Sequence, residues 1–227
     1  MVEPAGTGNG VHIHMSLRDP SGKPVTYAVA EPYGLGAPAR RFFAGVLANL
    51  PAICAITAPS PVSYLRLTPN RWAPTRVDIA TRERSASLRV CPVFGAVDAA
   101  ETARQYNVEF RPADATASPY LALGAIIFAG IDGLTRELEL PPEHQSSEPS
   151  IQSSTATARS ISEAAGSPAP LPTSLDEALD ALKRTKAACD WFGPIHFEAY
   201  LRAKRAEAAN TKALDPTALC ARYAEAF

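Results

Sequence analysis

Val11-His12-Ile13-His14-Met15-Ser16-Leu17 alternates apolar and polar side chains with a period of two, the mark of a β-strand. Its apolar members fall on one face and His12, His14 and Ser16 on the other. Two neutral imidazoles on one strand face ligate a metal, hold phosphate oxygens, or sit satisfied within a sheet. Upstream, Gly6, Gly8 and Gly10 lead into this strand. Downstream, Asp19-Pro20-Ser21-Gly22 is turn chemistry. Pro38 then opens a helical pattern in which Phe43, Val46, Leu47, Leu50 and Ile53 recur up to Thr57. Pro59-Ser60-Pro61 ends it.

Further along, residues 64–67, 76–80, 86–90 and 108–111 read as short strands separated by Pro or polar turns. An apolar helix is expected from Pro119 to about Leu138, with the proline in its first turn. Residues 141–173 are rich in Ser, Thr, Ala and Pro and read as an exposed linker. Ser174-Leu175-Asp176-Glu177 is a capping box that opens a helix, and a further amphipathic helix covers about 196–209. Short strands alternating with long helices predict an α+β fold, a curved antiparallel sheet backed by helices. The expected organisation is a sheet-and-helix core over 1–140, the linker over 141–173, and a C-terminal helical segment of the same domain over 174–227.

The composition is that of a globular chain: 227 residues, 46% hydrophobic and 20% charged. A formal net charge of −1 gives no sign of a nucleic-acid or acidic-membrane partner. Cys54, Cys91, Cys189 and Cys220 include no C-x-x-C pair, so metal-site cysteine spacing is absent. The first ten residues carry no apolar run, and the apolar stretch 121–134 is too short to span a bilayer and includes Asp132. A reducing cytoplasm is the expected location.

The charges are placed unusually. In Val108-Glu109-Phe110-Arg111-Pro112, Glu109 and Arg111 share one strand face while Val108 and Phe110 point to the other. They form a salt bridge or await a partner, because a buried unpaired charge is expensive. Arg66, Arg84, Arg89 and Arg111 lie within the same run of short segments. Guanidinium forks match carboxylate and phosphate oxygens, and several on one sheet face repel one another unless an anion sits among them. Arg82 beside Glu83 reads as a solvated turn pair.

Together these segments resemble the glutamine synthetase family. Gly8-Asn9-Gly10-Val11-His12-Ile13-His14-Met15-Ser16-Leu17 is similar to its G-x-G-x-H-x-H-x-S-L strand. Ser63-Tyr64-Leu65-Arg66-Leu67-Thr68-Pro69 with Ala73-Pro74, Arg84-Ser85-Ala86-Ser87-Leu88-Arg89, and Glu109-Phe110-Arg111 through Pro119-Tyr120-Leu121 are similar to three further family segments, in the family's order. The resemblance implies an ATP-dependent carboxylate–amine ligase working through an acyl phosphate. It implies His12 and Glu109 as ligands of Mg²⁺ or Mn²⁺, and His14 and Ser16 at the ATP site. Gly8 would touch the amino-acid substrate, Arg66 and Arg111 its carboxylates, and Arg84 and Arg89 the phosphates. Arg104 stands where the family has a basic residue near the nucleotide.

Three departures qualify that reading. The family carries a further N-terminal domain and earlier strands, with more metal carboxylates, before the G-x-G-x-H-x-H strand. The expectation is therefore of a chain with a missing N-terminal half, working in a homo-oligomer or lacking activity alone; the alternative is a non-catalytic relic or assembly module. Trp72, immediately before Ala73-Pro74, replaces a Glu that helps form the ammonium site in glutamine-forming members. Thr7 replaces the usual Asn beside Gly8. The implied substrates are glutamate or a related acid and an amine, with Trp72 suited to stack on an organic one.

Overall fold

The structure is a computed structural model that describes residues 3–142 and 168–225. Of the expected linker, residues 143–167 lie outside the described residues. From residue 168 the chain is packed. Pro170 bridges Arg76, Leu171 N–H donates to Thr75 O at 2.9 Å, and the Leu171 side chain is buried.

The expected α+β class holds. Strands β1 (Val11–Met15), β2 (Ile79–Thr81), β3 (Leu88–Val90) and β4 (Val108–Ala113) form one sheet in the order β1-β4-β3-β2. β4 runs antiparallel to both neighbours, with His14 and Arg89 each opposite Glu109. Antiparallel pairing does not extend to the whole sheet, because β2 and β3 are parallel, Ile79 against Leu88 and Thr81 against Val90. Parallel neighbours ordinarily need a long crossover. Here strands of three residues are short enough for residues 82–87 to carry the chain back. Arg82 starts the reversal at φ +66°, and Ser87 N–H donates to the Asp78 carboxylate at 2.8 Å.

The helical stretch ending at Thr57 is two helices, α1 (Ala37–Ala48) and α2 (Leu50–Thr57), bent by 73° at Asn49. Pro51, in the first turn of α2, has no N–H to continue a ladder from α1. The strand expected at 64–67 is instead a 3-10 turn, Pro61–Leu65, closed by Ser63 N–H to Ser60 O at 3.0 Å and Arg66 N–H to Ser63 O at 3.1 Å. Pro61 presets its first φ, and local pairing displaces the ladder that Tyr64 and Leu65 would favour.

Helix α3 (Ala99–Gln105), unforeseen, is capped by Asp98, whose carboxylate accepts from Glu101 N–H at 2.7 Å. Helix α4 (Pro119–Thr135) packs against α1 through glycines. A Cβ at Gly133 would lie 2.1 Å from Arg41 O, and one at Gly45 2.2 Å from Ala129 O, so the backbones touch. Its other face leaves Tyr120, Leu123, Ile127 and Ile131 exposed. Helix α5 (Leu175–Arg184) begins at the expected cap, Ser174 Oγ accepting from Glu177 N–H at 3.2 Å, and packs on α2. Three more follow: α6 (Ala188–Phe192), α7 (Pro194–Thr211) and α8 (Pro216–Ala224). All six residues of β4 are buried beneath this helical layer and between β1 and β3. Among the described residues, no single helix is long and apolar enough to cross a membrane.

Candidate active site

Glu109 is the centre of the site because β4 is an interior strand, with side chains from β1 and β3 converging on its carboxylate. His12 Nδ1 lies 2.7 Å from Oε1, and His14 Nε2, on the same face of β1, lies 3.7 Å from it. Arg111, two residues along β4, donates from Nη1 to Oε1 at 3.1 Å. Arg89 Nε lies 2.6 Å from Oε2 as an ion pair but without the angle of a hydrogen bond. The Glu109 side chain is 2% exposed, whereas those of His12 and His14 are 38% and 52% exposed, so the cluster opens along the β1 edge.

Arg66 joins from the 3-10 turn. Its Nη2 donates to Ala113 O at 2.9 Å, at the end of β4, and a Cβ on Gly10 would lie 3.0 Å from its Nη1. A glycine at position 10 thus lets β1 begin beside a buried guanidinium. The Nε atoms of Arg66, Arg89 and Arg111 are buried with no hydrogen-bond partner among the described residues. Such groups are costly to leave unmatched.

The electrostatics follow from this crowding. Burial and the Arg111 charge lower the His12 pKa more than Glu109 raises it, so the imidazole is neutral at physiological pH. Burial opposes ionisation of Glu109, but Arg111, Arg89 and His12 outweigh it and hold the carboxyl below its ordinary value. Burial lowers the Arg66 pKa against the favourable Asp114 charge, and a guanidinium stays charged nonetheless. An anionic carboxylate and a neutral imidazole are donors that suit a divalent cation. Mg²⁺ in particular takes one or two protein carboxylates and completes its shell with waters and phosphate oxygens. His12 and Glu109 fit that partial role; among the described residues, no group of three or more His, Cys, Asp or Glu side chains is placed so as to hold a metal ion.

Of the ten residues singled out in the sequence, His12, His14, Arg66, Arg89, Glu109 and Arg111 are drawn into this cluster. Gly8 and Ser16 are exposed at either end of β1, Gly8 with φ +78°. Arg84 is exposed in the β2–β3 loop and Arg104 in the last turn of α3; neither pairs with Glu109. Two neighbours went unnoticed in the sequence, and a third, Trp72, was noticed only for its side chain. Asn107 Oδ1 is 2.9 Å from His14 Nδ1, and Cys91 Sγ is 3.7 Å from the same nitrogen and 3.9 Å from Glu109 Oε2. The Trp72 carbonyl accepts from Arg111 Nη2 at 3.2 Å. The first two each sit just beyond a strand end, a position that only the β3–β4 register brings to the site.

Residues 1–220 match the family model described as glutamine synthetase, catalytic domain. A gamma-glutamylpolyamine synthetase, GlnA3, from Streptomyces coelicolor is 35% identical over 96% of this chain and 44% of its own length. A glutamine synthetase from the same organism is 38% identical over 58% of this chain and 27% of its own length. A crystal structure described as a novel glutamine synthase homolog superposes with a TM-score of 0.77 at 38% identity, covering 96% of this chain and 45% of that one. The chain thus spans less than half the length of these relatives. With the chain matched over residues 1–220 by the catalytic-domain model and the fold shared, the chain belongs to the glutamine synthetase family.

Proposed function

We propose that this chain supplies the carboxylate-activating site of an ATP-dependent carboxylate–amine ligase that forms a γ-glutamyl amide. The observation carrying this reading is the convergence of His12, Arg89 and Arg111 on the buried Glu109 carboxylate, with Arg66 close to His12 and Arg111. The γ-phosphoryl group of ATP passes to a side-chain carboxylate oxygen of glutamate, giving an acyl phosphate and ADP. The amine nitrogen attacks the acyl carbon, loses a proton, and phosphate leaves. Both steps spread negative charge over oxygens, which preorganised guanidinium groups stabilise.

In this scheme His12 and Glu109 would hold Mg²⁺ or Mn²⁺, which would supply positive charge to offset the phosphates. Arg89, joined by Arg84 from its exposed loop, faces the transferring phosphoryl group. Arg66 and Arg111 take the glutamate carboxylates, and Gly8 contributes its backbone. His14 and Ser16 line the nucleotide site, with Arg104 at its margin. The similarity to a gamma-glutamylpolyamine synthetase and the presence of Trp72 favour an organic polyamine over ammonia as the acceptor. Incubating the protein with ATP, Mg²⁺, glutamate and spermidine, with mass detection of γ-glutamyl-spermidine, tests the reading. Product that is abolished in Arg89→Ala supports it. Absence of product, with neither ADP nor acyl phosphate formed, overturns it in favour of a non-catalytic module.

A further inference from the structure

Helix α4 carries no charged side chain from Pro119 to Ile131 and is apolar on every side. Its inward half is small. Ala122, Ala125, Ala129, Gly130 and Gly133 are buried with Ile126, where the backbones of α1 and α4 touch. The large side chains point outward instead: Tyr120, Leu123, Ile127, Phe128, Ile131 and Leu134 are between 37% and 87% exposed. A helix that is hydrophobic all round belongs in an interior, yet only one half of this one is covered. Weighted by those exposures, six side chains of roughly 200 Å² each leave on the order of 600 Å² of apolar surface, the upper end of what single chains tolerate.

We propose that this face docks a second copy of the chain, α4 against α4 in antiparallel two-fold pairing with Ile127 at the axis. The spacing is self-complementary. Tyr120 and Leu134 each lie seven residues from Ile127, and Leu123 and Ile131 each lie four. An antiparallel copy therefore sets Tyr120 against Leu134 and Leu123 against Ile131, and the contact closes on itself as an isologous interface requires. Gly124, where an added Cβ would meet nothing within 4 Å, leaves room for the other copy's Phe128. The ends match in charge. α4 has neither an acidic residue in its first turn nor a side-chain cap from Ser118, so the positive end of its dipole is uncompensated. The pairing brings the other copy's Glu137 to that end, a largely exposed carboxylate that also pairs with Arg41 at 2.8 Å. Two copies together bury on the order of 1,200 Å², which reaches the lower bound of specific interfaces.

Sedimentation equilibrium of the full chain over about 1–200 µM reads the association, in the micromolar range expected of a small apolar interface. Ile127→Glu sets two carboxylates against each other at the axis, and Ile127→Lys sets two ammonium groups there. Each variant alone should dimerise at least about 30-fold more weakly than the wild type, and an equimolar mixture of the two should recover to within about 5-fold. Val97→Glu, at an exposed apolar residue before α3, should dimerise as the wild type does. Circular dichroism checks the fold, and Leu123→Glu serves as a second variant if Ile127→Glu does not fold. A wild type of one-chain mass throughout the range overturns the proposal and leaves the face to a different partner. A dimer that Ile127→Glu and Leu123→Glu leave unchanged, or that Val97→Glu weakens equally, overturns it as well. So does association lost in both charge variants and not regained in their mixture.

Discussion

Glu109→Gln keeps the side chain's shape and removes the negative charge that faces Arg89 at 2.6 Å, His12 at 2.7 Å and Arg111 at 3.1 Å. The two arginine side chains are 17% and 5% exposed, so solvent screens them poorly once the carboxylate is gone. Removing one partner of a buried ion pair costs about 3–5 kcal/mol, because the remaining charge is left uncompensated. The half-exposed His12 adds little. At this chain length each kcal/mol moves Tm by roughly 2–4 °C, so the variant should melt roughly 6–20 °C below the wild type. Glu139→Gln, which loses only a 3.7 Å pair with Arg40 from a carboxylate that is 63% exposed, should shift stability by less than about 1 kcal/mol. Inorganic phosphate provides the second arm. A site left with Arg89 and Arg111 unmatched beside Arg66 should take phosphate, and at 100 times its Kd that ligand adds about 2.7 kcal/mol. Urea titrations with and without phosphate, with metal chelated, measure both effects. A Glu109→Gln protein within about 1 kcal/mol of the wild type, and no more responsive to phosphate, would refute the idea of a guanidinium cluster built for an anion.

Other outcomes follow from single contacts. Gly10→Ala places a Cβ 3.0 Å from the guanidinium of Arg66, a side-chain end rather than backbone, so stability should fall by less than about 1 kcal/mol while phosphate affinity drops several-fold; calorimetry with phosphate checks this. Gly133→Ala meets backbone, Arg41 O at 2.1 Å, and should cost about 3 kcal/mol or more by forcing α1 and α4 apart, as thermal melting will report. Because the His12 pKa is lowered from 6.5, the folded state binds fewer protons than the unfolded state just below that pH. Its stabilisation is full above 6.5 and is lost as pH falls through the lower folded value, so His12→Gln should flatten the decline in urea stability between about pH 7 and 5; parallel profiles would count against it.

What could be read from the sequence was what depends on local pattern. Period two fixed β1 and β4, apolar spacing and proline placed α1 and α4, and Ser174 to Glu177 placed the start of α5. The misreadings arose where backbone chemistry overrode side-chain preference. Pro51 split one helix in two, Pro61 turned a strand-like run into a 3-10 turn, and Arg82 at φ +66° allowed two short strands to lie parallel. The site was legible to the extent that its residues share one strand face: His12 with His14, and Glu109 with Arg111. Asn107 and Cys91 were hidden because their approach to His14 depends on which strands pair and in what register. Trp72 stood out as a residue type, but nothing in the sequence announced the left-handed backbone that presents it.

The cluster around Glu109 could be a structural ion pair that happens to be elaborate, and the charges argue otherwise. Arg89 and Arg111 face Glu109, and Arg66, beside Arg111, has Asp114 as its favourable negative charge. Asp114 is also committed locally, accepting from Thr116 N–H at 2.9 Å and its hydroxyl at 2.6 Å. Burial that leaves positive charge in excess lowers stability unless something offsets it, and replacing such groups by apolar ones commonly stabilises a protein. The chain as a whole is nearly neutral, at −1, so this excess is local and is not a by-product of a basic composition. The buried Nε–H groups of Arg66 and Arg111, with no hydrogen-bond partner among the described residues, point the same way, since each is costly until an acceptor reaches it. A phosphate or carboxylate would occupy those donors and cancel the excess charge together. A divalent cation at His12 and Glu109 would compete with the arginines for the carboxylate, which frees their forks for the same anion. The stability lost in the empty site and the affinity gained in the filled one thus have the same origin, and the phosphate arm of the Glu109→Gln experiment reads both at once.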